Sequence, residues 1–270
     1  MFLLRGTGPV STASQLESRL EAELTQAFAL AQEKDSVVIK GELPALDFLG
    51  IDLSSGRIAP KSPPANPPKD TAMEMQVSAR VMAGVAKPLF WAESAQVELT
   101  LTAQEAELDI VRDGRQRRWL MLTRARHGTL VLHFAKGQFE DLVVDCLGRV
   151  AAQHGITVEQ AEVKVNAVGE DAARLQIALT MRKSFVRGSV QVGGELRLDR
   201  NLALHLADLS CEGKGVVGSL VATVLQPRLE ALEATPLPLL GPGFAAIKNE
   251  RVSIKGTGEG AWQIQAWLSG

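Results

Sequence analysis

Apolar residues recur along this chain with two distinct periods. Between residues 12 and 33 the step is three or four. Ala13, Leu16, Leu20, Leu24, Ala27, Phe28 and Ala31 form one stripe, which predicts an amphipathic helix. Thr12 with Gln15, or Ser14 with Glu17, has the spacing of a capping box at its start. Two strand-like runs, SVVIKGE and LDFLGIDL, follow on either side of Leu43-Pro44. A Pro-rich loop at 58–70 comes next, with five of the twelve prolines inside PKSPPANPP. Proline offers no ladder donor, so this stretch reads as solvated.

From residue 73 the period is two. Met73, Met75, Val77, Ala79 and Val81 face one way, and Glu74, Gln76, Ser78 and Arg80 the other. Val97, Leu99 and Leu101 repeat the alternation, and TAQEAELDIV at 102–111 then switches to a helix-like step. WLMLT and TLVLHFA read as strands again. A second helix is predicted over 138–153, with Phe139, Leu142, Val143, Cys146, Leu147, Val150 and Ala151 on its apolar face and Gly155 at its C-terminal cap.

Four strands are expected next, over 157–167, 172–182, 185–198 and 202–211, with short polar turns GED and DRN among their connections. Ala173, Leu175, Ile177, Leu179 and Met181 share one face of the second strand, and Val190, Val192, Leu196 and Leu198 one face of the third. A strand of roughly 13 residues spans about 43 Å, twice the usual length. Alternation leaves one face wet, which favours antiparallel pairing. A third helix over 216–233 and strands near 247–256 and 261–268 close the chain. The expected fold class is α+β: a long, strongly curved antiparallel sheet around long amphipathic helices. Residues 1–270 would form a single elongated domain, or two helix-plus-sheet halves meeting near 136/137.

Composition narrows the functions. Hydrophobic residues make up 46% and charged ones 22%, with a net charge of −2, so no basic footprint invites a nucleic acid. Tyr is absent, which excludes sites needing a phenol donor. The opening MFLL before Arg5 is too short an apolar run for a signal peptide, and no run approaches the ~18 apolar residues of a membrane span. By sequence the expected location is cytoplasmic. Cys146 and Cys211 lack metal-ligand spacing and read as buried thiols or as a pair.

Gly213-Lys-Gly215-Val-Val-Gly218 matches the GxGxxG of dinucleotide sites. That motif works between a parallel strand and a helix, with an acid about 20 residues on to hold the ribose. Here the preceding strand belongs to a meander, and Glu233 falls on a helix end. The glycines instead let a strand turn sharply into a closely packed helix. That helix carries Val217, Leu220, Val221, Val224, Leu225, Leu229 and Leu232 as its buried stripe, with a kink expected at Pro227.

Catalytic chemistry is thin. GxSxG does not occur, and Ser219 lacks a nucleophile-elbow context. His127 and His133 lie six apart with no Asp, Glu or Cys to complete a metal set. His154 ends a helix, and His205 reads as a hydrogen-bonded sheet residue. Glu105, Glu107, Asp109 and Asp113 read as solvated decoration. Arg112, Arg115, Arg117, Arg118, Arg124 and Arg126 are either a solvated strand face or a patch for anionic headgroups. No catalytic, cofactor or metal residue is assigned.

The order of elements carries a resemblance. HGITVEQAEVKVNAVGEDAARLQIALTMRKSFVRGSVQVGGELRLDRNLALHLADLSCEGKG, leading into GVVGSLVATVLQPRLEAL and closing with FAAIKNERVSIKGTGEGAWQIQAWL, resembles the bacterial LmeA-type phospholipid-binding family of the tubular lipid-binding (TULIP) superfamily. The first helix with DSVVIKGELPALDFLGIDLSSG is similar to that family's opening. The resemblance covers about 11–56 and 138–268. It implies a curved sheet wrapping a helix, an apolar groove for acyl chains and a cell-envelope location.

Two functions follow as expectations. The first is non-enzymatic binding of lipid or another long apolar ligand, with peripheral membrane contact. The groove would be lined by Leu142, Val143, Cys146, Val150, Leu175, Ile177, Leu179, Val190, Val192, Leu220, Val221, Val224 and Leu225. The alternative is a structural or interaction protein with a filled core, forming homo-oligomers or other contacts through a sheet edge.

Overall fold

A computed structural model describes residues 2–4, 6, 8–30, 35–58, 70–91, 95–135, 137–138, 141, 152, 155–199, 203–234, 237–238, 248–258 and 261–269. The chain is α+β and rich in sheet. Helix α1 (Ala13–Ala27) begins at Thr12, whose side chain accepts from the Gln15 amide. The Gln15 side chain reaches back to the Ser11 amide, one residue before the cap. Leu16, Leu20 and Leu24 are wholly buried, each contributing roughly 1.5–3 kcal/mol of burial.

The first sheet has the order β13-β14-β7-β6-β5-β3-β2, with β1 beside β7 and β4 beside β5. Its strands are β1 (Phe2–Leu4), β2 (Val37–Glu42), β3 (Ala45–Asp52), β4 (Arg57–Ile58), β5 (Thr71–Trp91), β6 (Ala95–Asp113), β7 (Arg118–Phe134), β13 (Lys248–Gly258) and β14 (Ala261–Ser269). The pairing is mixed rather than purely antiparallel, because β3 and β4 run parallel to β5. The C-terminal hairpin β13–β14 joins this sheet through β7, so the sheet draws on both ends of the chain.

Glu17 of α1 accepts from the Ile39 amide on β2, at one end of the strand order. Arg19, half a turn on, donates to the Gly8 carbonyl in the segment following β1, which lies beyond β7. Helix α1 is therefore tied both to β2 and to the segment after β1, and its leucines are buried in the first core. Glu21 likewise accepts from the Ser36 amide beside β2. These two carboxylates occupy backbone donors that an open sheet edge would present to another chain.

Two expectations fail in β5 and β6 for one reason. Residues 102–111 are not helical; they lie within the 19-residue strand β6. Val81 is not on the face of Val77 and Ala79; it is exposed, and Met82 is buried. The inward face changes phase in three neighbouring strands at once. Arg80 and Val81, Gln104 and Glu105, and Arg126 and His127 are consecutive exposed pairs. The flanking residues Ala79, Ala106 and Ala125 on one side, and Met82 and Ala103 on the other, are buried. Glu105 takes a φ of 47° at this crease, and its carboxylate pairs with Arg126 across it.

The second sheet has the order β12-β11-β10-β9-β8, with β8 (Thr157–Ala167), β9 (Ala172–Lys183), β10 (Val186–Leu198), β11 (Ala203–Lys214) and β12 (Leu237–Pro238). Helix α2 (Gly215–Glu233) follows β11 directly. It continues through Pro227, at about 3 kcal/mol for the lost hydrogen bond and ring clash. The β8–β9 turn ties the sheets together: Glu170 pairs with Arg251 through two hydrogen bonds, and its carbonyl accepts from the Ile254 amide. The predicted helix over 138–153 and the core of the Pro-rich loop, 60–68, lie outside the described residues, apart from positions 138, 141 and 152 of the helix.

Candidate functional site

Alternation along β9 and β10 places Leu175, Ile177, Leu179, Met181, Val190, Val192 and Leu196 on one face of the second sheet. Val217, Val221, Leu225 and Leu229 of α2, each a helical turn apart, pack onto that face. These residues form a cluster separate from the core around α1. Leu220 does not belong to the buried stripe. It is 43% exposed on the outer side of α2, and Val224 is half-buried. Leu142, Val143, Cys146 and Val150 lie outside the described residues.

The three glycines of GKGVVG serve backbone packing. A Cβ on Gly213 would overlap the Gly218 carbonyl, and one on Gly218 would overlap the Ser189 carbonyl on β10. Gly215 has a φ of 76° where strand gives way to helix. Strand β11 ends at Lys214 and α2 begins at Gly215, so no loop lies between them to cradle a pyrophosphate. Glu233, on a helix end as the sequence reading places it, accepts from the Leu209 amide. Leu209 follows Asp208, whose φ is 53°, at an irregularity in the β10–β11 pairing. The end of α2 thus satisfies a donor that the ladder leaves out.

The cover that α2 provides is narrow. Val190 and Leu179, under the helix, are at most 1% exposed. On the edge strand β8, Val158, Ala161, Val163 and Val165 turn to the same apolar side yet stay half-buried. Leu206 and Cys211 do the same on β11. Burial pushes the Cys211 thiol pKa above its ordinary value, so the thiol stays neutral and behaves as an apolar group. The leucines of α1 are fully buried, whereas among the described residues the second sheet keeps half-buried apolar residues on β8 and β11. The β8 residues were absent from the sequence-derived lining, although the alternation VEQAEVKV would have shown them.

The polar candidates have structural surroundings. Asp113, expected in solvent, is buried at the end of β6. It accepts from the amides of Arg115 and Arg117, the Arg117 guanidinium and the Trp119 indole. Burial opposes its ionisation, but the hydrogen bonds from Arg117 and Trp119 outweigh that and hold the carboxyl at about 2. Asp109 goes the other way. Burial, with Glu107 adding to it, raises its pKa, and its Oδ1 has no hydrogen-bond partner.

Arg112 and Arg118 meet Glu74, Arg117 meets Asp113, Arg124 meets Glu107 and Arg126 meets Glu105, so this basic run is largely paired across strands. His205 bonds Asp199 at 3.0 Å, and His127 and His133 lie some 20 Å apart along β7. Among the described residues no group of His, Cys, Asp or Glu could hold a metal ion, and no helix is long and apolar enough to cross a membrane. Comparison of the chain with protein-family models, curated proteins and solved structures gives no match.

Proposed function

We propose that this protein is a non-enzymatic binder of a long aliphatic ligand, such as a lipid acyl chain, laid along the half-buried apolar margin of the second sheet. The observation that carries this reading is the half-buried row Val158, Ala161, Val163 and Val165 on β8, which among the described residues lies outside the cover of α2, packed mainly over β10 and β11. An aliphatic chain needs a continuous apolar strip more than polar anchors, and each CH₂ buried there contributes ~0.8 kcal/mol. The strip runs the length of β8 and belongs to the same apolar cluster as Val221, Leu225 and Leu229 of α2. In this reading the curled sheet and its helices are a TULIP-like arrangement, as the resemblance to LmeA-type proteins implies, and an envelope location goes with it.

The sheet-edge alternative meets guarded edges. Glu17 and Glu21 occupy donors at β2, and β8 carries a pairing irregularity between Val158 and Gln160 and the charged Glu159, Glu162 and Lys164. Such features discourage strand addition. Titration of a fluorescent fatty acid tests the proposal. Val163→Asp should weaken binding by about tenfold or more, since it puts a charge where apolar contact is needed. Val38→Asp, on β2 of the other sheet, should leave binding unchanged. Absence of binding by the unmodified protein, or equal binding by Val163→Asp, would overturn it.

A further inference from the structure

The β9–β10 hairpin closes in a two-residue turn, Ser184-Phe185, with Ser184 at a φ of 54°. The Phe185 side chain stands entirely in solvent at 102% exposure, and Val186 beside it is 51% exposed. The first turn of α2 lies at the same end of the sheet. A Cβ on Gly215 would be 3.7 Å from the Arg187 carbonyl, and one on Gly188 would be 3.0 Å from the Val217 Cβ. Val217 turns into the core, which sends Val216 (82% exposed) and Leu220 outward. A ring and three aliphatic side chains from two elements therefore project at one end, with no role in either core.

The charge around them is specific. Arg182, Lys183, Arg187 and Lys214 are all exposed there. Arg182 and Arg187 share Glu159, at 3.1 and 3.2 Å. Lys183 and Lys214 have no ion-pair partner among the described residues. Four cations thus face Glu159 and the exposed Glu212, a local positive excess on a chain of net charge −2. The two lysines differ from Arg112, Arg117, Arg118, Arg124 and Arg126, each of which meets a carboxylate.

We infer that this end of the second sheet is a docking tip for an anionic lipid bilayer, with Phe185, Val186, Val216 and Leu220 entering the headgroup region and Lys183 and Lys214 meeting phosphates. A convex apolar point ringed by cations suits a fluid surface, which reshapes around it; aromatic and aliphatic side chains settle at the boundary while lysines reach anionic headgroups. The tip is distinct from the β8 strip, so it stands or falls separately from ligand binding.

Vesicle flotation tests the tip, using phosphatidylcholine alone and mixed with phosphatidylglycerol, at low and high salt. The protein should float with the mixed vesicles at low salt and less with either phosphatidylcholine alone or high salt. Phe185→Ser combined with Val216→Ser should cut the bound fraction about tenfold or more. Lys183→Gln and Lys214→Gln should each cut it about fivefold on mixed vesicles. All four side chains are exposed, so thermal unfolding should be unchanged and a loss of flotation would not reflect misfolding. Phe185→Trp should show blue-shifted emission on mixed vesicles, and Val163→Asp should float like the unmodified protein. No flotation of the unmodified protein with mixed vesicles would overturn the inference, as would equal flotation by the double serine variant. A dimer that Phe185→Ser dissolves, without flotation, would assign the tip to a second copy of the chain instead.

Discussion

Gly218 of α2 lies against the Ser189 carbonyl of β10 so closely that a Cβ on the glycine would overlap that oxygen. This contact seats the first turn of α2 directly on the sheet, and the obstacle is backbone, which cannot rotate away. Gly218→Ala should therefore destabilise the protein by at least the ~1–3 kcal/mol of ordinary overpacking. Gly114→Ala, where nothing lies within 4 Å, should be neutral or stabilising by up to about 1 kcal/mol through the unfolded chain. Urea midpoints of the two variants check the contrast.

Removing both carboxylates that α1 offers to β2 should expose a strand edge. Glu17→Ala with Glu21→Ala leaves the Ile39 and Ser36 amides without those acceptors, at roughly 1–3 kcal/mol for each donor that stays unsatisfied. The double variant should melt lower and self-associate on size exclusion. Glu17→Gln, which keeps an acceptor oxygen, should do neither to the same degree.

Asp113 should make stability depend on acid. Its folded-state pKa of about 2 lies below the unfolded carboxyl value near 3.9. The stability it contributes is therefore complete above about pH 4–5 and is lost as pH falls towards 2. Asp113→Asn should unfold at lower urea than the unmodified protein at pH 7, and the two midpoints should converge towards pH 2.

Asp109 should show the opposite sign. Its pKa is raised on folding, so ionisation costs the native state and stability falls as pH rises through the raised value. Asp109→Asn should raise the midpoint at pH 7, and that gain should vanish below the unfolded carboxyl value near 3.9. An unchanged difference across pH would contradict the assignment.

Much of this architecture can be read from residue order, and the exceptions have physical causes. The strands β8 to β11 and helix α2 fall close to where alternation and the Val217-Val221-Leu225-Leu229 step place them, because each has one apolar face and one wet face. The segment 102–111 misleads because the crease inserts an extra outward residue. Ala103 and Ala106 become three apart, a helical spacing produced by a bent strand. Val81 misleads for the same reason.

Leu220 looked buried because α2 is apolar on more than one side; its outward residues belong to the tip with Phe185. The roles of Glu17, Glu21 and Glu233 depend on which backbone amides lack ladder partners, and that is set by tertiary pairing. Parallel pairing of β3 with β5 was likewise hidden, since alternation does not encode strand direction. The β8 margin of the candidate site was readable as a strand face, but the half-burial of its residues was not.

The central claim is that an aliphatic ligand occupies the margin of the second sheet, and native mass spectrometry of the purified protein tests it most directly. The account predicts a mass above that of the chain, an acyl species released by organic extraction, and loss of that adduct in Val163→Asp. A ligand-free mass that stays unchanged after incubation with fatty acids and phospholipids would contradict it.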